Sequence, residues 1–475
     1  MQPSIATTEP AGAPAPSVWT TIKEAIHGSR QDFTQAPVGR AVVLLAIPMV
    51  LEMLMESVFA VADIFFVGHL GANAVATVGV TESLMTLVYA VAIGLSIGAS
   101  ATVARRIGEK DPERAARAAV QSIVLGVVIA IVLGATGALF GPQLLALMGA
   151  SDEIVRVGGT FTRVMVGGSG TALLLFLVNA VFRGAGDAAV AMRVLWFANA
   201  INIVLGPCFI FGVGPFPRLG VTGAAVGTTI GRGCGVLYQL YVLTRRSGRV
   251  QVRRRHVSID AAAMRGILRI SSTAMFQNIV AMASWMGLMR ILTGFGSATV
   301  AGYTIGLRII LFALLPSFGV SNAAATLVGQ NLGAHKPDRA EAAVWRAAWY
   351  NTAFLGAIGL IFVLWAPQLL SIFTDDPDVA FYGIRCLRIV ATGFLFYGFG
   401  MVLTASFNGA GDTRTPTIIH LVCLWLWEIP LAWTLAHPFG FGPTGAFIAV
   451  SVAFSTLAVM SSVIFRRGKW KTGHV

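Results

Sequence analysis

Apolar stretches of about 20 residues, each long enough to cross a hydrocarbon layer of roughly 30 Å as a helix, succeed one another along almost the whole chain. A backbone in lipid finds no water to bond, so each stretch must satisfy its own N–H and C=O groups. This confines the chain to an all-α, polytopic membrane protein. The composition fits, with 56% hydrophobic and 12% charged residues, where a soluble domain carries roughly 25% charged residues. A soluble globular enzyme is thereby excluded.

About twelve transmembrane helices are expected, near residues 41–67, 75–103, 116–140, 158–181, 189–212, 222–244, 265–293, 298–329, 342–366, 383–406, 415–436 and 444–465. The 34 Lys+Arg against 21 Asp+Glu give a net charge of +13, which in isolation would suit a nucleic-acid partner. The charges sit in short connections, however, which points to topology and to membrane lipids as partners, with no nucleic acid. Placing both termini and the even-numbered connections on one side gathers most basic residues there. It leaves Arg156, Arg163, Arg218, Arg385 and Arg388 on the other side, and only Arg232, Arg290 and Arg308 within spans. Both termini are therefore expected to be cytoplasmic.

The expected units are a polar N-terminal tail (1–38), a six-helix lobe (39–246), a basic linker (247–264), a second six-helix lobe (265–466) and a basic tail (467–475). The first tail has no apolar h-region, so the first span is expected to act as its own insertion signal. Cys208, Cys234, Cys386 and Cys423 show no C-x-x-C spacing and are expected to be packing residues.

An internal repeat organises the spans. Gly108-Glu-Lys-Asp-Pro112-Glu-Arg114-Ala115 returns as Gly333-Ala-His-Lys-Pro337-Asp-Arg339-Ala340, and Phe182-Arg-Gly184-Ala-Gly186-Asp187 returns as Phe407-Asn-Gly409-Ala-Gly411-Asp412, both 225 residues later. Gly220-Val-Thr-Gly223-Ala224 returns as Gly442-Pro-Thr-Gly445-Ala446 with a shift of only three. An even number of spans separates equivalent points, so the two six-helix repeats run parallel. Halves related in this way place a substrate cavity at their interface and suit alternating access.

The order and spacing of further motifs carry a resemblance. They are Pro48 followed by Val61-Ala-Asp63-Ile-Phe-Phe-Val67-Gly68, Asn202-Ile-Val-Leu205-Gly-Pro207, Gly223-Ala-Ala225, Leu327-Val-Gly329-Gln330-Asn331, and Gly409-Ala-Gly411-Asp412-Thr413. Over about residues 40 to 471 the chain resembles the multidrug and toxic compound extrusion (MATE) family of cation-coupled antiporters. That resemblance implies a V-shaped two-lobe transporter in a bacterial-type plasma (inner) membrane, functional as a monomer. It implies export of amphipathic, often cationic, drugs or metabolites in exchange for H⁺ or Na⁺, with a small-molecule substrate and no cofactor beyond the coupling ion. Carried over residue by residue, the coupling carboxylate is Asp63 in the first span, with Asn179, Asn202 and Thr228 as polar neighbours. One departure stands out: where relatives read Asn-x-x-x-Asp-Pro, this chain reads Asn202-Ile-Val-Leu-Gly206-Pro207, so a second carboxylate is missing. A Glu that some members place in the seventh span corresponds here to Gln277. H⁺ is accordingly expected over Na⁺.

Independently of that resemblance, only Glu52, Glu56, Asp63, Glu82 and Glu428 are acids within apolar spans, and an ionisable group in a membrane is a functional candidate by default. On a helix turning about 100° per residue, Glu52, Glu56 and Asp63 share a stripe roughly 40° wide. Asp63 is expected to switch protonation, the alternative being a structural carboxyl bonded to Asn or Thr. Glu56 is a candidate substitute for the missing acid. Glu52, whose repeat equivalent is Gln277, is either functional or a polar packing residue. Pro48 removes a backbone hydrogen bond and allows either a hinge or a fixed kink. Gln277, Trp285, Tyr303, Tyr397 and Glu428 are candidates to line the substrate cavity, with packing as the alternative for the aromatic residues.

Enzyme-like strings fail on context. Gly94-Leu-Ser96-Ile-Gly98 matches a nucleophile elbow but lies inside an apolar helix, where small residues serve close packing. No P-loop and no metal-ligand spacing is present. The expectation is a secondary transporter and not an enzyme, with a lipid-linked precursor flippase of the same two-lobe plan as the alternative.

Overall fold

The computed structural model describes residues 17–245 and 248–473; Arg246 of the basic connection and the outermost parts of both tails lie outside them. The first repeat consists of α2 (Val38–Gly68), α3 (Ala72–Gly108), α4 (Pro112–Leu147), the pair α5 (Asp152–Gly167) and α6 (Ser169–Ala185), α7 (Ala188–Phe211) and α8 (Val221–Thr244), preceded by a short α1 (Val18–His27). The second consists of α9 (Ala261–Thr293), α10 (Ser297–Gly333), α11 (Pro337–Ser371), the pair α12 (Pro377–Thr392) and α13 (Phe394–Gly409), then α14 (Arg414–His420), a π-helical segment (Leu421–Glu428) and α15 (Ile429–Ala436), and finally α16 (Pro443–Arg466). Each expected span thus has one helical unit. Among the described residues nine helices are long and apolar enough to span a membrane unaided, and the bent α12–α13 pair makes a tenth. The other two units, α8 and α9, are equally helical but more polar, holding Thr228, Arg232 and Gln239 in one and Gln277, Asn278 and Ser284 in the other.

Local chemistry sets the ends of these helices. Asp111, Ser151, Asp260 and Asp376 accept hydrogen bonds from first-turn amides of α4, α5, α9 and α12, and Pro112, Pro337, Pro377 and Pro443 stand where a helix has an unused N–H anyway. The fourth span of each lobe breaks at a glycine, Gly168 in one and Gly393 in the other. Each glycine abuts the sixth span of its lobe, against Thr229 and Ser451 respectively, and the α12–α13 break bends by 60°.

The two lobes form a V, joined at the face that carries both tails and the basic connections. A Cβ on Gly108 of α3 would overlap the backbone of Gln330 on α10, and a Cβ on Gly333 of α10 would overlap the backbone of Arg105 on α3. These are one contact made twice, because 105 and 108 become 330 and 333 under the repeat. A second reciprocal pair lies deeper: Gly94 of α3 abuts Met275 of α9, and Gly319 of α10 abuts Met49 and Val50 of α2. The string Gly94-Leu-Ser96-Ile-Gly98 is therefore a packing surface, with Gly98 against Ser271. α2 continues as helix through Pro48 beside this approach.

The basic face is also strapped. The tail expected to be merely polar folds from residue 17 onward, and Phe33 within it is 1% exposed. Arg249 of the linker donates from Nη2 to the carbonyls of Ser29 (2.9 Å) and Gln31 (2.7 Å), while Lys336 of the second lobe donates to that of Thr34 (2.9 Å). Beyond α16, Trp470 is buried, Arg105 donates to the Gly473 carbonyl (3.1 Å), and Lys471 pairs with Asp338 (3.1 Å) and Glu341 (2.7 Å). At this face burial pushes the Asp187 carboxyl up from its usual range, against the opposing pull of Arg249.

Adding one methyl at the reciprocal crossing should therefore separate the lobes. Gly108→Ala or Gly333→Ala is expected to destabilise the protein by about 1–3 kcal/mol through overpacking, read as a lower melting temperature in detergent. Gly266→Ala, where a Cβ meets nothing within 4 Å, should leave melting unchanged or slightly raised.

Candidate functional site

The carboxylates of α2 face the interior of the first lobe at three levels. Nearest the basic face, Glu52 is 1% exposed. Its Oε1 accepts from Arg183 Nη1 at 2.7 Å and from Asn179 Nδ2 at 3.0 Å. Gln239 Nε2 of α8 donates to Asn179 Oδ1 at 2.7 Å and to the Leu175 carbonyl at 2.9 Å. A charge stripped of water is tolerable only when paired and bonded; here a guanidinium and an amide both act on Oε1, and the buried Oε2 has no hydrogen-bond partner among the described residues. The same stretch of α6 touches the other lobe: the Arg183 carbonyl accepts from Thr326 Oγ1 at 3.2 Å and the Gly184 carbonyl from Gln330 Nε2 at 3.0 Å.

One turn further along α2, Glu56 Oε2 accepts from Asn199 Nδ2 of α7 at 3.2 Å. Asn202, one turn on from Asn199, donates to Thr228 Oγ1 of α8 at 2.8 Å. A turn beyond Thr228 lies Arg232, 6% exposed, whose Nη2 donates to Tyr89 Oη at 3.2 Å. Its guanidinium lies 5.7 Å from the Phe59 ring centre and 5.8 Å from that of Tyr89, close enough for cation–π attraction. Arg232 is also the cation that faces Glu56 and Asp63 electrostatically. Asp63 is half-buried. Glu82 of α3 interacts electrostatically with Asp63 and is opposed by Arg308 of α10, and both Glu82 and Arg308 are exposed. At Gly206 a Cβ would approach Asn202 Oδ1 at 3.7 Å, so the site of the missing carboxylate borders the Asn202–Thr228 pair.

The structure thus gathers Asp63, Glu56, Asn202 and Thr228 into one polar column. It places Asn179 elsewhere, with Glu52, whose position on α2 is 11 residues and so about 16 Å from Asp63. Two cations complete the picture. The spacing of the fourth span puts Arg183 in a connection because the apolar run ends near residue 181, yet α6 carries it inside. The available signal was the repeat, which has the neutral Asn408 at the matching position and so shows that the connection does not need a charge there. Arg232 was visible within a span, and its spacing of four from Thr228 puts both on one helix face.

In the second lobe, Trp285 Nε1 of α9 donates to Tyr303 Oη of α10 at 2.8 Å. Tyr303 lies parallel to Phe447 with ring centres 6.1 Å apart, and Tyr397 stacks on Phe454 at 4.1 Å. Ser284 Oγ lies 3.1 Å from Glu428 Oε2. Trp285 remains 41% exposed and Gln277 is buried, so of these candidates Trp285 offers the largest accessible ring.

Parallel six-helix halves around a cleft with buried ionisable groups define a multi-pass membrane transporter rather than an enzyme. Comparison with known proteins gives the family. The MatE family model matches residues 48–208 and again 273–434, the second match beginning 225 residues after the first, and the chain belongs to this family of multidrug efflux transporters. It is 27% identical to the probable multidrug resistance protein NorM of Thermotoga maritima, over 91% of this chain and 93% of that one. It is 25% identical to the FAD transporter of Shewanella oneidensis, over 85% of this chain and 89% of that one. Among solved structures, an outward-facing multidrug resistance MATE family transporter of the MOP superfamily superposes with a TM-score of 0.86 at 26% identity, covering 92% of this chain and 97% of its own.

The Glu52–Arg183 pair generates a stability prediction. Arg183→Met strands a buried carboxylate and is expected to cost about 3–5 kcal/mol. Glu52→Gln combined with Arg183→Met should recover most of that loss, as measured by denaturation of the purified variants.

Proposed function

We propose that this transporter exports amphipathic, often cationic, compounds from the cytoplasm in exchange for inward H⁺, with Asp63 as the coupling carboxylate. The observation that supports this reading is the charge balance of the first lobe: position 206 is glycine and a fixed guanidinium, Arg232, faces Asp63 and Glu56. A hard cation such as Na⁺ needs several oxygen ligands around it, whereas a proton needs one carboxylate in a setting that makes the charged form costly. A proton arriving at Asp63 cancels its attraction to Arg232 and removes the penalty of moving the acid into a drier position, which favours cargo release and return. Glu56, held by Asn199, acts as an auxiliary acid. Both termini lie on the cytoplasmic side in this reading, supported by the basic residues gathered at the strapped face.

Arg232 and Arg308 also favour a second reading, in which the cargo is anionic, as for a lipid-linked precursor or for the substrate named for the FAD-transporting relative. Transport by purified protein in liposomes with separately imposed H⁺ and Na⁺ gradients decides between them. Asp63→Asn keeps size and hydrogen bonding but cannot cycle charge; H⁺-driven export of a cationic dye should fall at least about tenfold, a barrier change of about 1.4 kcal/mol, with dye binding retained. Glu56→Gln should give a smaller loss. Undiminished export by Asp63→Asn would remove it from the mechanism, strict Na⁺ dependence would overturn the ion assignment, and FAD uptake without dye transport would establish the anionic cargo.

A further inference from the structure

The second lobe has a buried carboxyl that the column around Asp63 does not use. Glu428 is 5% exposed and Ser284, beside it on α9, is 2% exposed. The Ser284 hydroxyl lies 2.7 Å from the Leu424 carbonyl and 3.1 Å from Glu428 Oε2. A hydroxyl has one hydrogen to give. That one hydrogen serves either the Leu424 carbonyl, which leaves the Ser284 oxygen free to accept from a protonated Glu428, or an ionised Glu428 carboxylate, which leaves the Leu424 carbonyl without it.

The surroundings agree with a neutral acid. The titratable groups that face Glu428 are Tyr303 from α10 and Tyr397 from α13. Packed against the segment, α16 has only Arg466 at its far end, α14 contributes Arg414 and His420 two or more turns away, and α9 has Arg290 exposed beyond Ser284 and Arg265 and Arg269 toward the opposite end. No cation therefore pairs with this carboxyl among the described residues, unlike Glu52. A second, independent feature marks the place: Leu421–Glu428 is π-helical, a rare local geometry that is frequent at functional sites. Both Leu424 and Glu428 belong to that segment, and Pro430 follows it with no N–H to continue the ladder.

We propose that Glu428 is a proton-binding site of the second lobe, with Ser284 as the toggle that links its protonation to the π-helical segment. In the protonated state the acid donates to Ser284 Oγ and Ser284 donates to the Leu424 carbonyl. When the proton leaves Oε2 for solvent, the carboxylate accepts the Ser284 hydrogen and the Leu424 carbonyl loses its side-chain partner. The proton thus changes the bonding of two residues one turn apart on the segment that connects α14 to α15. The site is separate from Asp63, in the opposite lobe.

Difference infrared spectroscopy of the purified full chain across a pH titration tests this. The parent should show the carbonyl stretch of a protonated carboxylic acid at neutral pH that disappears in alkali. Glu428→Gln should lack that band and release about one proton fewer per molecule over the same range, while Asp63→Asn should keep the band. Ser284→Ala should keep it but move it to higher frequency, because the acid loses its acceptor. A band unaffected by Glu428→Gln, a band that never titrates, or, if Glu428→Gln fails to fold, a band unmoved by Ser284→Ala overturns the proposal. None of these outcomes depends on which ion or cargo Asp63 serves.

Discussion

The backbones of α3 and α10 touch at the basic face, and the arrangement of everything else follows from that crossing. Such closeness is open only to glycine, and the chain supplies it twice, at Gly108 and Gly333, each against the other helix three residues before its partner glycine. In a membrane there is no hydrophobic force between helices, since lipid is as apolar as leucine, so close backbone packing has to hold them. With α3 and α10 pinned, α2 lies against α10 and α9 against α3, each helix packing on the opposite lobe. The straps formed by residues 28–36 and 467–473 fasten the same face. The lobes can then diverge only toward the opposite face, which is how a V arises from two bundles.

Buried charge is the second constraint, and each acid meets it differently. Glu52 has a guanidinium and an amide on one oxygen. Glu56 accepts from one amide and shares the facing cation Arg232 with Asp63. Asp63 has a cation facing it while it stays half-buried, and Glu428 has a hydroxyl. A directly bonded cation suits a fixed element of the interface, and Glu52 sits where α6 meets the second lobe. Incomplete pairing leaves the charged form costly, which suits a group that must gain and lose a proton.

The two lobes agree in backbone and disagree in chemistry. Their glycine contacts, the helix breaks at Gly168 and Gly393, and the positive-φ residues Lys110 and His335 all correspond. The polar groups do not: Arg183 corresponds to Asn408 and Glu52 to Gln277, and the unbroken α7 corresponds to α14 and α15 joined by a π-helical segment. Packing against a shared pseudo-symmetric partner ties the glycines to one another, because a change at one crossing alters its twin. Nothing comparable ties the polar groups, which lie in separate lobes and differ between them.

Apolar run length, charge distribution and the 225-residue repeat were enough to determine the helical membrane architecture, the number of helical units and their parallel halves, because those properties are local or periodic. The stripe of Glu52, Glu56 and Asp63 was legible for the same reason, being a property of one helix. Only the tertiary structure decided what each acid meets. Asn179 serves Glu52 rather than Asp63, Arg183 lies inside the first lobe despite ending an apolar run, and residues from 17 onward form a folded strap despite a polar composition. Each of these depends on contacts between residues more than a hundred positions apart, whose partners are set by helix crossing and side-chain length. No window along the chain contains both members of such a pair.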